Sequence, residues 1–273
     1  RDIWPESAVQ MGNLKNPAVI KFFSWIEKIL YKNAESIVVA TPGMVNDISS
    51  KLDDFNLSST KKITFIPCGI KVYSKNEING YRDSNSILDN FKNDFTVIYA
   101  GLHGLAQNLF SILDTAKLLI DEKEIKFLFF GDGPSKSDLM KYAMQNNLKN
   151  VSFFDPVNRD EIRSIYSKGS CAIVPLRDLD IFKTVFPSKT FELLSFKLPI
   201  IVGVGGQLSS LLNSEDAALC VKPDDSEQYA DAIMSLYECK DTYERISTNG
   251  RNLAKKMFDY KITNKKFKEI IES

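Results

Sequence analysis

The sequence predicts an α/β protein dominated by one parallel, doubly wound sheet, preceded by the closing elements of a second α/β unit. Three observations carry this. Six apolar runs, FTVIYAG, KFLFFGDG, VSFFDPV, CAIVPL, PIIVGVGG and ALCVKPDD, each end in Gly, Asp or Pro and lead into a longer amphipathic stretch. A shorter series of the same kind comes before them. The length of 273 residues exceeds one typical domain and suits one large domain plus part of another.

The elements follow in chain order. A helix is expected from about Pro17 to Lys32, then a strand at SIVVA, a helix after Thr41 and a strand at KITFIP. Residues 1–70 therefore read as the remnant of an N-terminal domain. The polar stretch 71–94, rich in Asn, Ser and Lys, reads as a linker. Residues 95–250 carry the six strand-and-helix units, and 251–273 form C-terminal helices expected to pack back toward the first domain. Right-handed crossovers put all strand C-terminal ends on one edge, where ligands bind near the topological switch point. The loops of interest are then 101–107, 131–135, 155–158, 177–188 and 203–207.

The segment Phe186 to Gly203, FPSKTFELLSFKLPIIVG, holds the densest chemistry. Pro187 suits a first helical turn and Pro199 forbids continuation, so a short helix lies between them. The amides of Ser188, Lys189 and Thr190 have no partners inside that helix and carry the positive end of its dipole. Diphosphate fits such a start, with the Lys189 ammonium as an added charge. Glu192 falls four residues after Ser188 and three after Lys189, on the same face, where a carboxylate can accept from the vicinal diol of a ribose. An ordinary helix start with a solvated Lys-Glu pair has the same spacing.

Other signals point to no cofactor. Gly131, Asp132 and Gly133 follow a strand, but Pro134 and Ser135 break the dinucleotide fingerprint, and the glycines of GVGGQL are wrongly spaced for it. The four cysteines, Cys68, Cys171, Cys220 and Cys239, lack metal-site spacing and read as reduced residues of a cytosolic protein. Neither a Ser-His-Asp set nor paired carboxylates emerge. His103, the single histidine, stands between glycines at the ligand edge, either as a structural residue or as a neutral donor to a phosphate or sugar hydroxyl.

The formal net charge is zero, so no global field recruits nucleic acid. No apolar run is long enough to span a bilayer and no signal peptide is visible. The helix at 17–32 carries Phe22, Phe23, Trp25 and Ile29 with Lys21 and Lys28, which fits a membrane interface and equally a core-facing helix of the truncated domain. Because the chain opens on Arg1 and not Met, it reads as a fragment.

In chain order, RDIWPES, FIPCGI, YAGLHGLAQNL and PSKTFELLSFKLPIIV together resemble the GT-B glycosyltransferases of family four, over nearly the whole chain. The likeness is nearest to the bacterial surface-polysaccharide subgroup that includes N-acetylfucosamine transferases. That resemblance implies a Rossmann-like donor-binding domain, the C-terminal half of a GT-B fold, behind the tail of a second Rossmann-like domain. It implies a retaining, metal-independent transferase with no cofactor, moving sugar from a UDP-sugar to a glycan or undecaprenyl-linked acceptor, for polysaccharides such as lipopolysaccharide. The place implied is the cytoplasm, with peripheral contact at the inner face of the plasma membrane. By matching position, Ser188, Lys189 and Thr190 would hold the diphosphate, Glu192 the ribose, and the Asp155, Pro156, Val157 turn the base through backbone groups. Gly101, His103 and Gly104 would border the phosphates and sugar, and His103 is the candidate catalytic residue. Many relatives carry a glutamate eight residues before Glu192, where this chain has Thr184. A UDP-sugar epimerase or hydrolase on this scaffold, or a noncatalytic nucleotide-sugar-binding partner, are the competing readings.

Overall fold

A computed structural model describes residues 4–10, 14–57 and 61–272. Arg1, Asp2 and Ile3 of the RDIWPES segment lie outside the described residues. The leading unit comprises α1 (Glu6–Gln10), α2 (Pro17–Asn33), β1 (Ser36–Val39), α3 (Pro42–Asp54) and β2 (Lys62–Phe65). Local rules place both longer helices: Asn16 caps α2 and Thr41 caps α3, each followed at once by proline. β1 and β2 pair in parallel, and α3 closes them with a small core of Val39, Met44, Ile48 and Leu52.

α2 is apolar on its outside. Glu27 faces inward, accepting from Tyr31 at 2.9 Å and Lys51 at 2.5 Å, while Phe22, Trp25 and Leu30 are exposed. Phe22 stacks on Trp25 at 6.2 Å. Among the described residues the Phe22 and Trp25 rings are uncovered, which fits either sequence alternative for this helix.

The polar stretch 71–94 is not a free linker. It folds into α4 (Lys75–Asp83) and a short 3₁₀ turn at Ile87–Phe91. Ser74 and Glu77 form a reciprocal capping box, and Ile78 and Leu88 are buried. Arg82 donates through Nε and Nη2 to the Ser167 carbonyl at 3.0 and 2.8 Å, and Lys168 reaches Asp89 at 2.5 Å. A few inward apolar residues among many outward polar ones suffice for docking, and composition hides them.

The larger unit runs β3 (Phe95–Ala100), α5 (Leu109–Leu118), β4 (Ile125–Phe130), α6 (Lys136–Gln145), β5 (Val151–Phe154) and α7 (Arg159–Lys168). It continues through β6 (Cys171–Pro175), α8 (Ser188–Ser195), β7 (Ile200–Gly203), α9 (Gln207–Ser214), β8 (Leu219–Cys220), α10 (Ser226–Glu238) and α11 (Lys240–Leu253). All pairings are parallel, in the order β5-β4-β3-β6-β7-β8. Alternation along β3 sends Val97 and Tyr99 to the layer holding α5, α6 and α10, and Ile98 and Ala100 to the layer holding α7, α8 and α9. The chain leaves β3 toward β4 and re-enters on its other side at β6, so the switch point lies between the C-terminal ends of β3 and β6.

Beyond α11 a five-residue π turn, Ala254–Phe258, leads to α12 (Tyr260–Ile271). Phe258 stacks on Phe191 of α8 with 3.4 Å between ring centroids. The Ile70 amide donates to the Phe258 carbonyl at 2.7 Å and the Tyr260 amide to the Ile70 carbonyl at 2.8 Å. A Cβ on Gly69 would lie 2.2 Å from the Thr263 hydroxyl oxygen, so this crossing of two chain segments requires glycine there.

Candidate functional site

α8 begins at the switch point. Pro187 occupies its N-cap position and supplies no side-chain cap. The Thr190 amide turns back to the Pro187 carbonyl at 3.0 Å, while the Ser188 and Lys189 amides have no partner among the described residues. Ser188 is exposed, and the Thr190 hydroxyl is buried without a partner. The Lys189 ammonium donates to the Ala100 carbonyl, the last residue of β3, at 2.5 Å. Sequence positions 89 residues apart are thereby joined at one crevice.

The electrostatics there are unbalanced. Burial pulls the Lys189 ammonium below the usual lysine range, with Glu192 acting in the opposite sense. Its one hydrogen bond is to a neutral carbonyl, a weak counterpart for a desolvated cation. Glu192 is half-buried and its carboxylate has no hydrogen-bond partner among the described residues. Burial and then the Glu192 charge push the Tyr166 phenol up. The unpaired helix start, the strained cation and the unpartnered carboxylate occupy two turns of one helix, and together they can accept an anion followed by hydroxyl donors.

The loop after β3 is the opposing wall, and it is built by glycine-dependent contact. The Gly101 amide donates to the Phe130 carbonyl at 2.9 Å, the His103 amide to the Asp132 carbonyl at 2.8 Å, and the Ser135 amide to the His103 carbonyl at 2.9 Å. Gly131 and Gly133 have φ of +135° and +156°, and a Cβ on either would fall within 2.5 Å of a backbone oxygen of this loop. Close approach of two loops, and no dinucleotide, accounts for the GDG triplet. Gly101 is half-buried and Gly104, which is buried, starts a 3₁₀ turn at Leu105–Gln107.

The structure places the His103 side chain in the interior, in keeping with the structural alternative for this residue. Its imidazole is fully buried in ring contact with Tyr99, Phe129 and Phe153, without a well-formed hydrogen bond at either ring nitrogen, although the Phe130 carbonyl acts on it as a backbone acceptor. Burial and the nearby Lys136 charge hold its pKa below the ordinary value. The main chain of His103, through its amide and carbonyl, ties the loops after β3 and β4 together.

The turn after β5 stands two strands from β3, a span of about 10 Å at ordinary strand spacing. That suits the separation of a nucleobase from its diphosphate. Asp155 and Pro156 are exposed and Val157 is half-buried. Lys136 at the start of α6 donates to Asp155 at 2.7 Å and holds its carboxyl below the usual range.

Thr184 lies against the leading unit. A Cβ on Gly43, in the first turn of α3, would meet the Thr184 methyl at 2.8 Å and the Gln207 amide nitrogen at 2.5 Å. A small residue at 184 and none at 43 let the two walls touch. Arg177 and Asp178 join the crevice by their backbones, the Arg177 amide donating to the Ala106 carbonyl at 2.9 Å. Sequence reasoning missed Asn108 and Asp224, whose side chains meet at 2.6 Å across 116 residues. Both have left-handed backbone, and no local pattern in the sequence marks their pairing.

Among the described residues no group of three or more His, Cys, Asp or Glu side chains could hold a metal ion, and no helix is long and apolar enough to cross a membrane.

The comparisons with known proteins converge on one family. The family model for Glycosyl transferases group 1 matches residues 82–253. Over 154 residues the chain is 27% identical to the putative colanic acid biosynthesis glycosyl transferase WcaI of Escherichia coli K12, covering 55% of this chain and 37% of that protein. Over 250 residues it is 21% identical to the O-antigen chain mannosyltransferase C of Escherichia coli, covering 90% of this chain and 62% of that protein. The chain thus spans less than two thirds of either relative. Sucrose-phosphate synthase from Thermosynechococcus elongatus has the same fold, with a TM-score of 0.72 at 16% identity over 97% of this chain and 65% of that one. So does Anabaena Alr3699/HepE in complex with UDP and glucose, with a TM-score of 0.71 at 15% identity over 94% of this chain and 69% of that one. These are GT-B glycosyltransferase structures, and their likeness concerns fold. With the family match extending over more than half its length, the chain belongs to the glycosyl transferases group 1 family.

Proposed function

We propose that the protein transfers a glycosyl group from a UDP-sugar to a glycan or undecaprenyl-linked acceptor in bacterial surface-polysaccharide synthesis. The observation that carries this is the uncapped start of α8 at the switch point, with the desolvated Lys189 ammonium tied to the end of β3. The names of the relatives, for colanic acid and O-antigen, support the polysaccharide setting, and the HepE complexes with UDP support the donor class. The finer likeness to N-acetylfucosamine transferases rests on the sequence motifs.

In this reading the diphosphate lies on the Ser188 and Lys189 amides, and the ammonium leaves the Ala100 carbonyl for a phosphate oxygen. Glu192 accepts from the ribose hydroxyls, and backbone groups at Asp155 to Val157 meet the base. Gly101 and Gly104 let the opposing loop approach the phosphates without a side chain between. As the glycosidic bond breaks, charge grows on the departing UDP, and a preset cation and helix dipole stabilise it more than the intact donor. This needs no metal ion. Retention of configuration follows from the family likeness. The exposed Phe22 and Trp25 of α2, beside Lys21 and Lys28, fit peripheral contact with an anionic membrane on the cytoplasmic side.

Product analysis tests the proposal. The intact protein, incubated with labelled UDP-sugars and membrane extract, is expected to give labelled acceptor together with UDP. Free sugar or an altered UDP-sugar with no labelled acceptor would indicate hydrolysis or epimerisation, and an unchanged donor would leave a binding role.

A further inference from the structure

Two non-glycine residues with left-handed backbone face each other at the ligand edge. Asn108 has φ of 41° and Asp224 has φ of 62°. Asn108 occupies the N-cap position of α5, where asparagine normally caps its own helix, yet it makes no capping hydrogen bond. Instead its Nδ2 donates to Oδ1 of Asp224 at 2.6 Å. The other Asp224 oxygen, Oδ2, accepts from the Asp178 amide at 3.2 Å. One carboxylate therefore joins three loops, those following β3, β6 and β8. The Arg177-to-Ala106 backbone bond sits beside it. The first two loops are the ones that lead into the crevice at Ala100 and into the Ser188 helix start.

We infer that Asp224 is a positioning residue for the donor site: it sets the spacing between the 101–108 and 177–187 loops, and so the distance between the β3 end and the amides of Ser188 and Lys189. The inference rests on the donor reading given under the proposed function. It goes beyond it by assigning control of the site's geometry to a residue that need not touch the ligand.

Left-handed backbone makes the test clean, because glycine adopts it more readily than aspartate. Asp224→Gly deletes both hydrogen bonds while keeping the turn. UDP affinity, measured by calorimetry, is expected to fall about three- to tenfold with no drop in melting temperature. Hydrogen exchange at the Asp178 amide is expected to speed up in the same variant. Asn108→Gly should weaken UDP similarly, the double variant should cost no more than the stronger single, and Asp224→Asn should recover part of the loss. UDP affinity within twofold of wild type in Asp224→Gly would overturn the positioning role and leave the donor reading intact. Absence of UDP binding by the unaltered protein would overturn the donor reading, and this inference with it.

Discussion

α8 and the loop holding His103 both bring polar side chains with unmet hydrogen-bonding capacity to the same sheet edge, and they do opposite things with them. Lys189 and Glu192 are partly open at the switch-point crevice, where a ligand can supply what the protein does not. His103 is buried among Tyr99, Phe129 and Phe153. An unsatisfied group in a crevice can be met by a ligand, whereas one in the interior depends on the protein around it. Position at the ligand edge, shared by both, does not separate them. Access does.

Substitutions can sharpen or break that contrast. The largest effect is expected at Lys189: Lys189→Ala in the intact protein should lower turnover about 10²- to 10³-fold, as for loss of one preset stabiliser of developing charge. Its melting temperature should not fall, because the ammonium is held desolvated with its pKa below the ordinary lysine value. A large loss of stability would mean that Lys189 is structural. Next comes Glu192→Ala, expected to weaken UDP by about tenfold. It should leave inorganic pyrophosphate affinity unchanged, and equal loss for both ligands would place the carboxylate away from the ribose.

Gly43→Ala probes the contact with Thr184 and Gln207. Crowding of this kind costs about 1–3 kcal/mol, to be read from the denaturant midpoint. Pairing it with Gln207→Ala, which clears the nearest atoms, should restore part of the loss.

The smallest effect on ligand binding is expected at His103. His103→Leu should leave UDP affinity within about twofold and remove a buried polar group, raising stability by about 1–3 kcal/mol. The pH dependence gives an independent check. The folded-state pKa is depressed below the ordinary 6.5, so the unfolded chain binds more protons. The penalty for charging the buried ring is absent above 6.5 and grows as pH falls through that value toward the folded pKa. Wild type should therefore show an acid-side loss that the leucine variant lacks.

How much of this was legible depended on the range of the interaction. The six strands announced themselves because each is a continuous apolar run stopped by Gly, Asp or Pro, and α8 because its two prolines bracket it. α4 escaped because its inward face is little more than Ile78, and the Ser74–Glu77 capping box lies in a polar stretch that resembles a linker. The neighbours of Ser188, Lys189 and Glu192 follow from helical spacing, so their grouping was readable. The tie from Lys189 to Ala100 spans 89 residues, and Asn108 to Asp224 spans 116, and local pattern carries no trace of either. For His103, flanking glycines identified the loop correctly but could not say whether the ring turns outward or inward. That is decided by the aromatic side chains of β3, β4 and β5 beneath it.

The most direct test is UDP calorimetry on three proteins side by side: the unaltered chain, Lys189→Ala and His103→Leu. The expected result is binding by the unaltered chain, affinity reduced at least about tenfold in Lys189→Ala, and affinity unchanged in His103→Leu. Full affinity in Lys189→Ala, or its loss in His103→Leu, would contradict the assignment of the diphosphate to the start of α8.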